Sequence, residues 1–170
     1  MDSFSEQIVK QSLDSKRLLI VLGVVLAAVA LDVLAYIFFP FVFIWVLVLG
    51  AFGAYWVISA QSWEVEYAVT NGDIDIDRII ARRDRKCIVR VRGVKIESLR
   101  PVKSGLPNKP FDRTVMAART MKTATWYFTY HSKKGSTIVF FEPNESVLAE
   151  LRGGLSRVVQ VETDRAVREM

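Results

Sequence analysis

The chain has 170 residues, with 23 lysines and arginines against 18 aspartates and glutamates, and its formal net charge is +5 at pH 7. One cysteine and one histidine exclude an internal disulfide and a Cys/His metal site. Once a long apolar stretch and the segment before it are set aside, roughly 110 residues remain, which is enough for one ordinary soluble domain and too few for two.

The N-terminal segment, residues 1–17, carries apolar side chains at Phe4, Ile8, Val9 and Leu13, which is close to helical spacing. Two interpretations fit this pattern equally well: a short amphipathic helix on a membrane surface and a solvated leader. In either case we expect a separate segment that precedes a membrane region.

Residues 18–60 contain a single charged residue, Asp32, and Pro40 lies near the middle of this stretch. A membrane-spanning helix needs roughly 20 mostly apolar residues. The stretch therefore predicts a transmembrane helical hairpin with spans at about 18–38 and 41–60. Asp32 lies past the midpoint of the first span and has no partner charge there, so we interpret it as a tolerated residue near the interface, not as part of an ion pathway.

Basic residues precede the first span and follow the second, whereas the turn between the spans carries no charge. Lysines and arginines are enriched on the cytoplasmic side of membrane proteins. The charge pattern therefore predicts a multi-pass protein of the plasma membrane with both termini in the cytoplasm.

The region from residue 62 to residue 170 carries a net charge of +6 and begins with two alternating runs, at 64–70 and 73–77. Asn71-Gly72 lies between them, which is typical of a two-residue type I′ hairpin turn. A third strand near 86–92 follows a basic turn. In the expected pairing Asp77 and Asp75 lie opposite Arg90 and Arg92, so the acidic row has a structural explanation and does not indicate a metal site.

The remaining pattern predicts a fourth strand at 94–102, a long surface loop at 103–121 with a short helical turn at 114–119, and a second hairpin. That hairpin, at 123–131 and 136–141, carries aromatic residues that we expect in the core. Asn144 is the expected cap of a C-terminal helix with a buried stripe at Val147, Leu148, Leu151 and Leu155. A short strand is expected at 158–161.

Several stretches resemble the spaced pattern of bacterial membrane-anchored domains of the pleckstrin-homology-like (PH-like) type. They are Tyr67-Ala-Val-Thr70, the alternating strand to Ile79-Ile80, the basic turn Arg82 to Lys86, and Ile88 leading to Val94-Lys-Ile96. The chain is also similar in layout to a group of small bacterial membrane proteins. The resemblance implies a seven-stranded barrel, of which the pattern shows six strands. The expected fold is a membrane-anchored α+β protein in which a two-helix transmembrane hairpin precedes a mainly antiparallel PH-like β barrel with one C-terminal helix, at residues 62–170.

No motif for a catalytic nucleophile, a cofactor or a metal is recognisable, so we expect a protein that is not an enzyme and has no cofactor. The predicted function is a membrane-anchored binding or scaffold module that contacts anionic lipid headgroups through a basic hairpin tip. That tip, called the hairpin tip below, consists of Arg82, Arg83, Arg85 and Lys86. The alternative is a subunit of a membrane assembly that binds a protein or peptide partner or a second copy of itself. No nucleic-acid partner is expected, because stacking aromatics are not interleaved with the basic residues.

Overall fold

A computed structural model describes residues 3–10, 15–60, 63–80, 84–133 and 135–169. It contains a helical unit built on residues 15–60 and a β unit formed by residues 3–10, 64–79 and 85–169. The helices are α1 Ser15–Phe38, α2 Phe43–Ala60, α3 Glu145–Gly153 and α4 Arg157–Arg168. The strands are β1 Phe4–Lys10, β2 Trp63–Thr70, β3 Asp73–Ile80, β4 Asp84–Val91, β5 Ile96–Pro101, β6 Arg113–Met116, β7 Trp126–Ser132 and β8 Gly135–Phe141.

In the helical unit, α1 and α2 are joined by a short turn at residues 39–42 and pack against each other. The packing is closest at Gly50, where a Cβ atom would lie 3.9 Å from the Cβ of Ala28 and 3.8 Å from Oδ1 of Asp32. Oδ1 of Asp32 is buried there and has no hydrogen-bond partner among the described residues. The interpretation of Asp32 as a tolerated residue near the interface stays a prediction.

The two apolar helices differ in length. Leu18–Phe38 has 21 residues and a mean hydropathy of 2.9, so by length and composition it is able to cross a membrane. The apolar part of α2, Phe43–Ser59, is shorter, because its length falls in the range of 10 to 17 residues. The first predicted span is therefore supported by length and composition, and the second span stays a prediction.

The first sheet of the β unit has the strand order β1-β2-β3-β4. Its edge strand β1 corrects the prediction of a helix or a leader at residues 1–17. All seven residues of β1 pair antiparallel with β2, from Phe4 opposite Thr70 to Lys10 opposite Glu64. The helical spacing was misleading because Val9 is the one hydrophobic residue of β1 that is buried, and pairing with β2 decides the conformation.

The turn between β2 and β3 confirms the predicted type I′ geometry. Asn71 and Gly72 both have positive φ, at 51° and 81°. Both central residues of a type I′ turn require this conformation, which asparagine and glycine adopt most readily. The local sequence signal was therefore sufficient to locate this hairpin.

The second sheet has the order β5-β7-β8-β6, and β6 pairs parallel with β8 while the other pairs are antiparallel. The predicted helical turn at 114–119 is wrong, because residues 113–116 form β6. The segment between β5 and β7, which was predicted as a surface loop, packs part of its length against β7 and β8. Its buried side chains at Ala118 and Ala124 pack against Tyr127, Ile138 and Phe140.

The main core lies between the inner faces of the two sheets. The ring of Phe141 packs edge-on against the rings of Tyr67, in the first sheet, and Phe128. The distances between ring centroids are 5.9 Å and 5.3 Å. All three side chains are almost completely buried. The prediction that the aromatics of the second hairpin lie in the core is confirmed for Phe128 and Phe141, whereas Trp126 and Tyr130 are half-buried. The sheets remain two separate four-stranded layers, so the expected closed barrel with seven strands is wrong.

Two helices follow the last strand, where one was predicted. Oδ1 of Asn144 accepts a hydrogen bond from the backbone N–H of Val147 at 2.8 Å, which confirms Asn144 as the cap of α3. The expected strand at 158–161 is instead the first half of α4. This helix packs along β5, and the hydroxyl of Thr163 lies 2.8 Å from the carbonyl oxygen of Leu99.

Candidate functional site: the hairpin tip and the open edge of β1

The structure describes only part of the predicted basic hairpin tip. Arg82 and Arg83 lie outside the described residues, whereas Arg85 and Lys86 lie at the beginning of strand β4. The guanidinium of Arg85 donates a hydrogen bond from Nη2 to Oε2 of Glu66 at 2.6 Å, and its Nη1 lies 3.9 Å from Asp77. Lys86 is exposed and makes no ion pair with any described residue.

The pairing of Arg85 changes the interpretation of the tip. Glu66 is only 6% exposed, so its carboxylate needs a compensating charge. Arg85 supplies that charge from the surface, with a side chain that is 59% exposed. At least one of the predicted site residues therefore stabilises the sheet, and its charge is already partly neutralised.

The acidic and basic rows of the first sheet also meet, although not with the expected partners. Nε of Arg90 donates to both carboxylate oxygens of Asp75 at 3.0 Å, whereas the expected partner was Asp77. Arg92, which was expected opposite Asp75, is exposed and makes no ion pair in the described part of the chain. Acidic and basic side chains of β3 and β4 therefore pair with each other as the sequence suggested, but the partner of Arg90 is two residues away from the expected one.

Two groups that could serve a nucleophilic enzyme are not arranged for that purpose. The pKa of the Cys87 thiol is raised, first by partial burial and then by hydrogen bonding to and repulsion from Asp77. The thiol is therefore protonated at neutral pH and is a poor nucleophile. His131 is exposed in β7, and no group of three or more metal-ligating side chains occurs among the residues that the structure describes.

A groove of about 500 Å³ runs along the outer side of β1, and the sequence analysis did not predict it. Its opposite wall is the chain around Glu142, which follows β8. The amide of Gln7 connects the two walls, because its Nε2 donates to the carbonyl oxygen of Glu142 at 3.1 Å and its Oε1 accepts from the backbone N–H of Asn144 at 2.6 Å. Residues on both sides line the groove: Gln7, Ile8, Val9, Lys10, Arg119, Thr125, Glu142 and Pro143.

The floor of this groove holds a second ion pair. Arg119 donates from Nε and Nη2 to the two carboxylate oxygens of Glu142, at 3.0 and 3.1 Å, and its backbone N–H donates to the same carboxylate. Glu142 is 9% exposed, so this bidentate pair compensates a buried charge. The groove therefore presents little net charge from its floor.

The backbone of β1 is open on the groove side. The N–H of Asn71 donates to the carbonyl oxygen of Ser3, which places the odd-numbered residues of β1 in the hydrogen-bonded positions toward β2. The N–H and C=O groups of Glu6 and Ile8 consequently point away from β2. Such an edge is able to accept a further strand. No sequence signal could have located it, because it depends on where β1 pairs.

Comparison with protein families gives a match over nearly the whole chain, at residues 1–160. Searches of curated proteins and of solved structures gave no match. The chain belongs to the family described as Bacterial PH-like domain (DUF6106).

Proposed function

We propose that this protein is a non-enzymatic binding or scaffold module that is anchored in the plasma membrane by α1 and α2, with both chain ends in the cytoplasm. PH-like domains are generally non-catalytic and serve as binding modules. The observation that carries the anchoring proposal is the apolar character of α1 and α2, and the pairing of β1 with β2, the strands that flank these helices, favours both chain ends on one side of the membrane.

The pairing restricts the number of membrane crossings. Lys10 lies opposite Glu64, so the chain that leaves β1 must return to the same place before β2 begins. A single crossing would put the two strands on opposite sides of the bilayer. The pairing therefore supports either two crossings or none, and the apolar character of both helices favours two. The positive flanks favour the cytoplasm for the two ends.

Cysteine accessibility in the full chain tests this topology. In a Cys87→Ser background, single cysteines at Ser3, at Val42 in the turn between the helices, and at Lys133 would be treated with a membrane-impermeant maleimide. We expect labelling of the Val42 site in intact cells, and of the other two sites only after permeabilisation. Labelling of all three sites only after permeabilisation would show that neither helix crosses, and ends on opposite sides would contradict the β1–β2 pairing.

The proposed ligand of the module is the anionic headgroup layer, contacted by Arg82, Arg83, Arg85 and Lys86. Support comes from the exposed ammonium of Lys86, which makes no ion pair with any residue that the structure describes, and from the largely exposed Arg85. Each basic group near an anionic leaflet contributes about 1 kcal/mol. Hydrogen exchange of residues 84–88 in the full chain would be compared between anionic and zwitterionic nanodiscs. We expect slower exchange with anionic lipid, and loss of that difference in Arg82→Ala/Arg83→Ala/Lys86→Ala. Equal exchange in both lipids would exclude this contact.

A protein or peptide partner at the edge of β1 is the second candidate, favoured by the groove and by the open backbone groups of Glu6 and Ile8. A partner strand would gain main-chain hydrogen bonds there. Ile8→Pro removes the outward N–H without removing a hydrogen bond to β2. If a second copy is the partner, native mass spectrometry of the wild type in detergent will show an oligomer that Ile8→Pro reduces to a monomer. A wild type that is only monomeric would count against self-association.

A further inference from the structure

Three glycines bring distant parts of the β unit into backbone contact. A Cβ atom at Gly72 would overlap the backbone of Gly154, and one at Gly93 would lie 2.7 Å from the carbonyl oxygen of Gly154. Gly93 begins the turn between β4 and β5, and Gly154 lies in the turn between α3 and α4. The two turns therefore form one corner of the domain.

From this corner, α4 runs alongside β5. Gly93 contacts Gly154 at the start, and Thr163 reaches Leu99 about two turns further on. Helix α4 and strand β5 therefore start from the same corner of the domain. Val159 points inward and is 6% exposed, so its helical neighbours Val158 and Val161 face outward.

The side chains at this corner are an unusual combination for a solvated surface. Val94, Val158 and Val161 are 67%, 70% and 69% exposed. Three exposed cations accompany these valines, and none of them makes an ion pair with a described residue. We call the whole group the basic corner: Arg92, Val94, Lys95, Arg157, Val158 and Val161.

The acidic groups around the basic corner are few and mostly engaged. Oδ1 of Asp73 accepts the backbone N–H of Gly93 at 3.0 Å. Glu162 lies 3.6 Å from the guanidinium of Arg100. Asp73 and the exposed Glu97 make no ion pair in the described residues, so these two carboxylates offset part, but not all, of the charge of the three cations. The basic corner therefore keeps a positive charge next to its exposed valines.

We infer that the basic corner is a second membrane contact, which docks the β unit on the anionic surface of the bilayer that holds the chain. Aliphatic side chains gain by entering the headgroup region, and neighbouring arginines and lysines gain from anionic lipids. A purely electrostatic partner would explain the cations but not the three exposed valines. The inference rests on the proposed membrane anchoring, and it does not depend on lipid contact by the hairpin tip.

Fluorescence quenching in nanodiscs tests the inference on the full chain. A fluorophore would be attached to Val158→Cys in a Cys87→Ser background, and the nanodiscs would contain lipids with a headgroup-level quencher. Lys133→Cys, in the exposed turn between β7 and β8, provides the matched control site. We expect quenching at position 158 in anionic nanodiscs, weaker quenching in zwitterionic ones, and little at position 133.

Charge variants sharpen the test. Arg92→Gln and Arg157→Gln should each reduce the docked population about fivefold, since each cation contributes a similar amount at an anionic surface. High salt should have the same effect as the double variant. Circular dichroism of the variants verifies that the domain remains folded.

The outcomes separate this inference from the proposed function. If the full chain does not enter nanodiscs, membrane anchoring fails and the inference fails with it. If the chain enters but position 158 is unquenched, or is quenched equally in both lipids and in both charge variants, anchoring stands and the basic corner is not a membrane contact. Equal quenching at positions 133 and 158 would also overturn it.

Discussion

The hairpin tip and the basic corner are both rich in cations, yet their charges are used differently. Arg85 in the hairpin tip is paired with Glu66 at 2.6 Å, and farther along β4 Arg90 is paired with Asp75. Arg92, Lys95 and Arg157 of the basic corner make no ion pair in the described part of the protein. A run of basic residues in a sequence therefore does not locate a charged surface, because pairing decides which charges remain available.

The difference follows from secondary structure. In the first sheet, carboxylates on neighbouring strands lie within reach of the cations of β4, so that Arg85 pairs with Glu66 and Arg90 pairs with Asp75. Cations of the basic corner come from a turn and from the beginning of a helix. Among them, Arg92 lines a groove with Asp73 and Asp75 but makes no ion pair in the described residues. Substitutions in the two regions should therefore differ strongly in their effect on the free energy of unfolding.

The largest effect is expected from removing the backbone contact that builds the basic corner. In Gly154→Ala the new Cβ overlaps the backbone of Gly72, which cannot move as a flexible side chain would. Overpacking of this kind costs about 3 kcal/mol. Gly153→Ala is the matched control, because its Cβ would meet nothing within 4 Å. Chemical denaturation should show a large loss for Gly154→Ala alone, and equal stabilities of the two variants would contradict the glycine contact.

A smaller effect is expected at Tyr67, which connects β2 to the second sheet on the side opposite Glu66. Its hydroxyl donates to the carbonyl oxygen of Ala117 at 2.8 Å and accepts from the N–H of Glu142. Tyr67→Phe leaves these buried groups without a partner and should cost about 2 kcal/mol. Tyr130→Phe, at a half-buried position, is the control and should cost much less.

Alkaline titration gives an independent measure of the same side chain. Burial raises the pKa of Tyr67, so the unfolded chain loses this proton before the folded protein does. The stabilising contribution is complete below the unfolded pKa of about 10. It decreases as the pH rises above that value, toward the higher pKa of the folded state. Tyr67→Phe should have a flatter pH dependence above this value, and an unchanged slope would show that other groups cause the loss.

The third prediction compares neighbours in the hairpin tip. Arg85→Ala leaves the carboxylate of Glu66 buried without its partner and should cost about 1–2 kcal/mol. Lys86→Ala removes an exposed charge with no partner and should change the unfolding free energy by less than about 0.5 kcal/mol. Thermal unfolding of both variants provides the measurement. A larger loss for Lys86→Ala would mean that the assignment of structural and free cations in the tip is reversed.

The smallest difference in stability is expected between removal of the exposed ion pair of β4 and removal of a cation of the basic corner. Side chains of Arg90 and Asp75 are 71% and 39% exposed, so solvent screens their attraction. Arg90→Ala should cost about 0.5 kcal/mol or less, and Arg92→Ala should cost nothing measurable. The difference should vanish in high salt, since screening weakens exposed pairs. A salt-independent loss for Arg90→Ala would indicate a packing role for its side chain.

The family comparison confirms the PH-like resemblance. Several local features were also predictable. The positive φ values of Asn71 and Gly72 and the cap at Asn144 depend on side chains within a few residues of each other. The apolar character of α1 likewise depends on composition alone. These features are determined by short-range chemistry, and the sequence was sufficient for them.

The candidate sites depend on contacts over long sequence distances. The open edge of β1 exists because Phe4 pairs with Thr70 across the two intervening helices. The basic corner exists because Gly72 and Gly93 contact Gly154, which no local pattern encodes. The same is true of Arg85, whose charge is compensated by Glu66 on another strand.

By itself the sequence determined the apolar helix pair, the first β hairpin, the aromatic core and the start of α3, because each is specified by residue type and spacing. Tertiary structure alone decided that residues 4–10 form a strand, that the sheets stay separate and that residues 158–161 are helical. It also decided which cations are free, because ion pairing is a property of side chains that the fold brings together.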